Sequence, residues 1–231
     1  MKQKMLVVKK TQETPDTVTI TFKGEQKVDF KPGQFYMFEL MVEGKPVKRA
    51  YSISSSPARN EMLEITVKQM PFGKVSTQLC GINAGDEITA DGPFGHFVFD
   101  PENMKEIVLI AAGSGIAPFR CFCQYITDKK LPTKVTLVYG NKTEEDIICR
   151  KDLEESGRKI NGMKLVFTLS REEKKGFRHG RIDDALIKEI VSKSAGANFF
   201  VCGPPEMVHG TKKLLEENNV SKEKIKVEVY G

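Results

Sequence analysis

Apolar residues recur along this chain with two different periods, and the change falls near residue 100. Before it, short runs rich in Val, Ile, Thr, Phe and Tyr cover Met5–Val8, Thr17–Phe22, Gln34–Leu40, Ala50–Ser54, Met62–Gln69, Glu87–Ala90 and His96–Phe99. Lys31-Pro32-Gly33, Asn83-Ala84-Gly85-Asp86 and Asp91-Gly92-Pro93 supply turns between them. Short strands in such number expose edges unless the sheet closes, so this stretch predicts a six-stranded antiparallel all-β barrel. Beyond residue 104 the apolar runs Ile107–Ala112, Val135–Tyr139, Lys164–Leu169, Ala197–Cys202 and Ile225–Tyr230 alternate with helix-length stretches at Pro118–Asp128, Glu144–Ser156, Asp183–Ser192 and Pro205–Asn218. Buried strands joined by crossover helices predict a doubly wound α/β parallel sheet. Two domains are expected, 1–100 and 101–231, meeting near Asp100-Pro101 with a cleft between them.

Composition narrows the picture without redirecting it. With 39% hydrophobic and 29% charged residues the chain reads as folded throughout. The net charge of +5 is spread over scattered lysine pairs, which gives nucleic-acid binding little support but can help dock an acidic protein partner. No stretch approaches the roughly 18 apolar residues of a membrane span, and Met1-Lys2-Gln3-Lys4 runs directly into a strand, so a cytoplasmic protein is expected. Five cysteines form no paired framework, which suits a reducing compartment, and lack the four-thiolate spacing of an iron–sulfur site; no bound metal is expected.

Candidate chemistry gathers at the strand ends. In Arg49-Ala50-Tyr51-Ser52, residues 49 and 51 share one face of a strand. A guanidinium there can grip a pyrophosphate, an aromatic ring can lie on a flat heterocycle, and the Ser52 hydroxyl can bond a ring nitrogen. Gly73-Lys74-Val75-Ser76-Thr77 opens a helix, and a helix N-terminus is a natural phosphate site. Gly113-Ser114-Gly115-Ile116-Ala117-Pro118 follows an apolar strand where a doubly wound sheet binds phosphates, although Pro118 stands near the expected third glycine. The second strand of that sheet ends Tyr139-Gly140-Asn141-Lys142, lacking the usual ribose-binding acid and leaving Gly140 and Asn141 at that edge. Cys202-Gly203-Pro204-Pro205, with Met207 just beyond, puts a thiol at the carboxyl edge of another strand. Plain structural readings stand beside these: an edge strand with an exposed arginine, an ordinary helix cap, a small buried cysteine.

Taken in order, these motifs resemble the ferredoxin–NADP reductase family, over nearly the whole chain. Arg49 to Ser52 and Gly73 to Thr77 are similar to its two flavin elements, Gly92-Pro93-Phe94-Gly95 to the turn ending its barrel, and Gly113 to Pro118 and Cys202 to Met207 to its nicotinamide-nucleotide elements. The resemblance implies FAD on the barrel and NADPH or NADH on the α/β domain. It places Arg49 on the FAD pyrophosphate together with Ser76 and Thr77, Tyr51 against the isoalloxazine, Ser52 near its N5, and Cys202 against the nicotinamide. Tyr230 resembles the aromatic that covers the other flavin face in the family, and Glu228 is a candidate polar neighbour. Ser170-Arg171 resembles a pair that contacts the 2′-phosphate of NADP, which favours NADPH; similar pairs occur in NAD-using relatives and Glu172-Glu173 would repel that phosphate, so NADH stays open. No iron–sulfur domain is expected in this chain. The implied activity is therefore NAD(P)H oxidation with electrons leaving to a separate acceptor, such as a ferredoxin, a flavodoxin or an oxygenase component. Alternatives are a reductase that treats flavin as a substrate, and an electron-transfer subunit of a larger complex.

Overall fold

The computed structural model describes residues 2–59 and 61–230. The first half holds β1 (Lys2–Thr14), β2 (Thr17–Gly24), β3 (Phe35–Val42), β4 (Lys45–Ser52), β5 (Leu63–Lys68) and β6 (Glu87–Phe94), with helix α1 (Lys74–Gly81) between the last two strands. They pair antiparallel in the order β4-β3-β6-β1-β2-β5. An Ile53–Ile65 bridge and a 2.8 Å bond from the Ser54 amide to the Glu64 carbonyl join the two edges, so the sheet closes as the alternation predicts. Met5, Val7, Ile20, Phe22, Tyr36, Phe38, Ile65 and Val67 fill the interior. Each such side chain taken from water adds roughly 1.5–3 kcal/mol.

The second half contains β7 (Glu106–Ala112), α2 (Ala117–Asp128), β8 (Lys134–Asn141), α3 (Arg150–Lys159), β9 (Lys164–Leu169), β10 (Arg178–His179), α4 (Asp184–Lys193), β11 (Asn198–Gly203), α5 (Pro205–Glu217) and β12 (Ile225–Val229). The order β10-β9-β8-β7-β11-β12 is parallel throughout. Helices α2 and α3 cover one face through Phe119, Phe122 and Leu153, while α4 and α5 cover the other through Ile187, Ile190 and Val208. Between β7 and β11 the winding reverses, and in doubly wound sheets this switch point is where ligands bind, outside the carboxyl ends of the strands.

One expected strand does not form. His96–Phe99 pairs with nothing in the barrel sheet; Phe97 instead packs against Phe119, Phe122 and Phe200, and Phe99 against Phe122. Its in-and-out pattern records burial against the second half. The two-residue β10 was not anticipated, because it is too short to carry a period. Among the described residues no helix is long and apolar enough to cross a membrane.

Candidate active site

Strand β4 delivers its last residues to the seam between the halves. Ser52 is buried there, and its hydroxyl donates to a Glu228 carboxylate oxygen at 3.2 Å while accepting from the Tyr230 hydroxyl. Glu228 comes from β12, which runs beside β11, and it lies level with Cys202 in that pairing. The Tyr230 amide continues the ladder by donating to the Gly203 carbonyl at 2.9 Å. Four groups far apart in sequence, Ser52, Cys202, Glu228 and Tyr230, thus share one point where barrel and parallel sheet meet.

The loops after β7 and β11 touch backbone to backbone. A Cβ on Gly115 would stand 2.2 Å from the Cys202 carbonyl oxygen, so that position admits only glycine. Gly203 has a positive φ of 152°, and a Cβ there would meet the Met207 methyl at 2.6 Å and the Ala112 oxygen at 3.0 Å. The Tyr139 hydroxyl, reaching up from β8, donates to the Gly113 carbonyl at 2.8 Å and pins the start of the loop. On its own Cβ side Gly113 faces open space.

Burial sets the electrostatics. It pushes the Tyr51 hydroxyl up to about 12, with Cys80 adding to the effect, so this ring stays neutral. Burial likewise raises the Cys202 thiol and the Tyr230 hydroxyl well above their ordinary values, each reinforced by the Glu228 charge. Cys202 is therefore a neutral thiol suited to packing. Burial also raises Glu228, against the lowering effect of its bonds from Ser52 and Tyr230. Arg49 is the counterpart in the open: its Nη1 donates to the Lys48 carbonyl at 2.9 Å, and among the described residues no carboxylate pairs with it.

Two family models match the chain: an oxidoreductase FAD-binding domain over residues 4–99 and an oxidoreductase NAD-binding domain over residues 109–213. The NADH-cytochrome b5 reductase 1 of Kluyveromyces lactis is 31% identical across 91% of this chain and 78% of its own length. The chain belongs to the ferredoxin–NADP reductase family. The glycine betaine monooxygenase reductase subunit of Chromohalobacter salexigens is also 31% identical over 97% of this chain, which spans 63% of that subunit's length. A ferredoxin NADP+ reductase from Neisseria gonorrhoeae, solved with FAD and NADP bound, shares the fold with a TM-score of 0.83 at 23% identity, over 99% of this chain and 98% of its own.

The residues present fit the cofactors that this family implies. Arg49 offers an unpaired guanidinium to a diphosphate, and no side chain caps α1 at Gly73, which leaves the first-turn amides of Lys74, Val75 and Ser76 open to the same anion. Ser76 shapes this turn: its hydroxyl accepts from the Met70 amide at 3.1 Å and donates to the Gly73 carbonyl at 3.0 Å, so its amide rather than its hydroxyl is available. Thr77 accepts weakly from Gln69 at 3.4 Å. At the carboxyl edge of the parallel sheet α5 starts at Pro205 after Pro204 and has no side-chain cap either. The Asn141 Oδ1 and Thr168 Oγ1 atoms are buried at the ends of β8 and β9 with no hydrogen-bond partner among the described residues, and such orphaned groups call for a ligand or water.

Ser170 and Arg171 lie at the far side of this edge. Ser170 donates to the Asn141 carbonyl, Arg171 is exposed without an ion pair among the described residues, and the Glu172 carboxylate is turned to the Glu144 amide at 2.7 Å. Arg150 is engaged by Glu144 and Glu154 and sits over the Phe177 ring, so it offers nothing to a nucleotide. Sequence reasoning underweighted Glu228 and passed over Tyr139 and Arg120. Their roles depend on partners distant in the chain; an arginine within the apolar run Pro118–Ile126 was the one available signal.

Proposed function

We propose that this chain is an FAD-dependent NAD(P)H oxidoreductase that passes electrons to a separate protein acceptor, either an oxygenase component or an acidic ferredoxin- or flavodoxin-type carrier. The convergence of Ser52, Cys202, Glu228 and Tyr230 across the seam carries this reading. Residues 1–100 serve the flavin and 101–231 the nicotinamide nucleotide. FAD, when bound, supplies the acceptance of hydride and its release as single electrons.

The chain's own residues bind, align and exclude water. Arg49 and the α1 amides hold the diphosphate, and the neutral Tyr51 ring backs the flavin beside Ala50. The Ser52 hydroxyl, oriented from both sides by Glu228 and Tyr230, presents a polar group at the reacting edge. Gly113 to Pro118, with Gly140 and Asn141, cradle the dinucleotide. At the neighbouring loop the Cys202 thiol packs on the nicotinamide, with Gly203, Pro204, Pro205 and Met207 around it. Tyr230 covers the flavin face and has to move aside for the nicotinamide, a local gating step.

NADPH is favoured over NADH because Arg171 offers a free guanidinium while Glu172 is occupied by the Glu144 amide. All five cysteines are free thiols, in keeping with a reducing, cytoplasmic setting. The reductase subunit of glycine betaine monooxygenase is a relative that by its name serves an oxygenase, which supports that class of acceptor.

The test is to load the protein with FAD, pass it through gel filtration and measure bound flavin. Wild type should emerge yellow, and Arg49→Ala should hold FAD more weakly by about 1.5–3 kcal/mol, the range for a charge-assisted hydrogen bond. A protein that emerges colourless yet oxidises NAD(P)H when flavin is added would make flavin a substrate instead. One that neither holds FAD nor oxidises NAD(P)H would refute the proposal.

A further inference from the structure

Helix α2 begins where the Gly113–Pro118 loop ends, and one of its faces is polar. Arg120, Gln124 and Asp128 recur every four residues, so they stand one above another along the helix. Each holds part of the segment that continues β4. Arg120 is only 7% exposed. Its Nη1 donates to the Ser54 carbonyl at 3.1 Å and to Glu64 at 2.6 Å, while its Nε and Nη2 both reach Asp152 of α3 at 2.6 Å. Gln124 Oε1 accepts from the Ser56 amide at 3.2 Å, and Asp128 takes Arg59 in a fork of 2.7 and 2.8 Å.

Withdrawing a guanidinium from water is costly before its partners repay it, and apolar side chains of similar volume often stabilise as well. Packing alone therefore does not explain the charge. Its location is more informative. Ser54 lies two residues beyond Ser52, and Arg120 lies two residues beyond Pro118. The contact thus joins, by short covalent paths, the strand assigned to the flavin and the loop assigned to the nicotinamide.

We propose that Arg120 is a positioning residue for hydride transfer, fixing the separation of the two cofactor sites while touching neither cofactor. This rests on the function proposed above. It is tested on the full chain with Arg120→Met, Arg120→Lys and Arg59→Ala. In the cofactor-free protein, Arg120→Met should speed hydrogen exchange at residues 52–56 and 113–118 together; unchanged exchange at 113–118 would overturn the coupling.

In the FAD-loaded protein, flavin reduction at saturating NADPH should slow by about tenfold or more in Arg120→Met, since a misplacement of roughly 1 Å can cost about a hundredfold. FAD retention and the dissociation constant for NADPH should stay at wild-type values, the deuterium isotope effect should become more temperature-dependent, and Arg120→Lys should restore part of the rate. A variant that melts earlier but keeps the wild-type saturating rate and isotope effect makes Arg120 purely structural and overturns the proposal. Should Arg120→Met not fold, the exposed Arg59→Ala decides: a rate lowered about twofold or more supports it, and an unchanged rate overturns it. A wild-type protein that binds both nucleotides without flavin reduction refutes the proposed function, and this inference with it.

Discussion

Two of the seams along which the halves meet have opposite character. At the first, α2 lies against the segment after β4 with a buried guanidinium, a buried amide and an exposed fork, and Cys121 reaches into the barrel core. At the second, Tyr230 and Glu228 extend from β12, the edge strand of the sheet, and hold Ser52 through side-chain hydrogen bonds. One seam is dense and charged in its interior, and the other hangs on a strand end. A hydride-transfer enzyme needs both, one to fix the distance between its cofactors and one to let the nicotinamide in.

Breaking the first seam should have the largest effect. Glu64→Gln leaves Arg120 with Asp152 as its one carboxylate and should cost about 2–3 kcal/mol, below the roughly 3–5 kcal/mol of a fully buried pair because Glu64 is partly exposed. Urea unfolding measures it; a loss under about 0.5 kcal/mol would make the two seams alike. Tyr230→Phe removes one hydroxyl from the second seam and should cost about 0.5–1.5 kcal/mol, the worth of a single hydrogen bond. A larger loss would show that Tyr230 is locked in place.

Glu228 sharpens the comparison through pH, with the smallest effect of the three. Burial raises its folded pKa, so the stability it contributes is present below the unfolded value, about 4.3, and is lost as pH rises through the higher folded value. Glu228→Gln, which never ionises, should match wild type in acid and become the more stable form above the folded value. Thermal melts across pH 4 to 8, a range of about four units, read this directly. A gap that stays constant with pH would mean that Glu228 does not titrate in this window.

Much of this arrangement was legible in the sequence because glycines and strand periods are local signals. The closed barrel and the order of strand and helix after residue 104 follow from such signals, and the contact between the Gly113–Pro118 and Cys202–Pro205 loops came only with the structure. What escaped depended on distant partners. Phe97 and Phe99 looked like a strand because burial against another unit produces the same alternation. Arg120 carries no local sign of its partners, since its carboxylates stand in β5 and α3, and the part of the Ser76 hydroxyl in closing its own turn, which leaves the amide available, was equally unmarked.

Anaerobic stopped-flow mixing of the FAD-loaded protein with NADPH and, in parallel, NADH tests the central claim most directly. The account predicts that the visible absorbance of oxidised flavin disappears in a single fast phase, within the roughly 1–1,000 s⁻¹ range of ordinary turnover, and faster with NADPH. Flavin that stays oxidised under saturating concentrations of both nucleotides would contradict it.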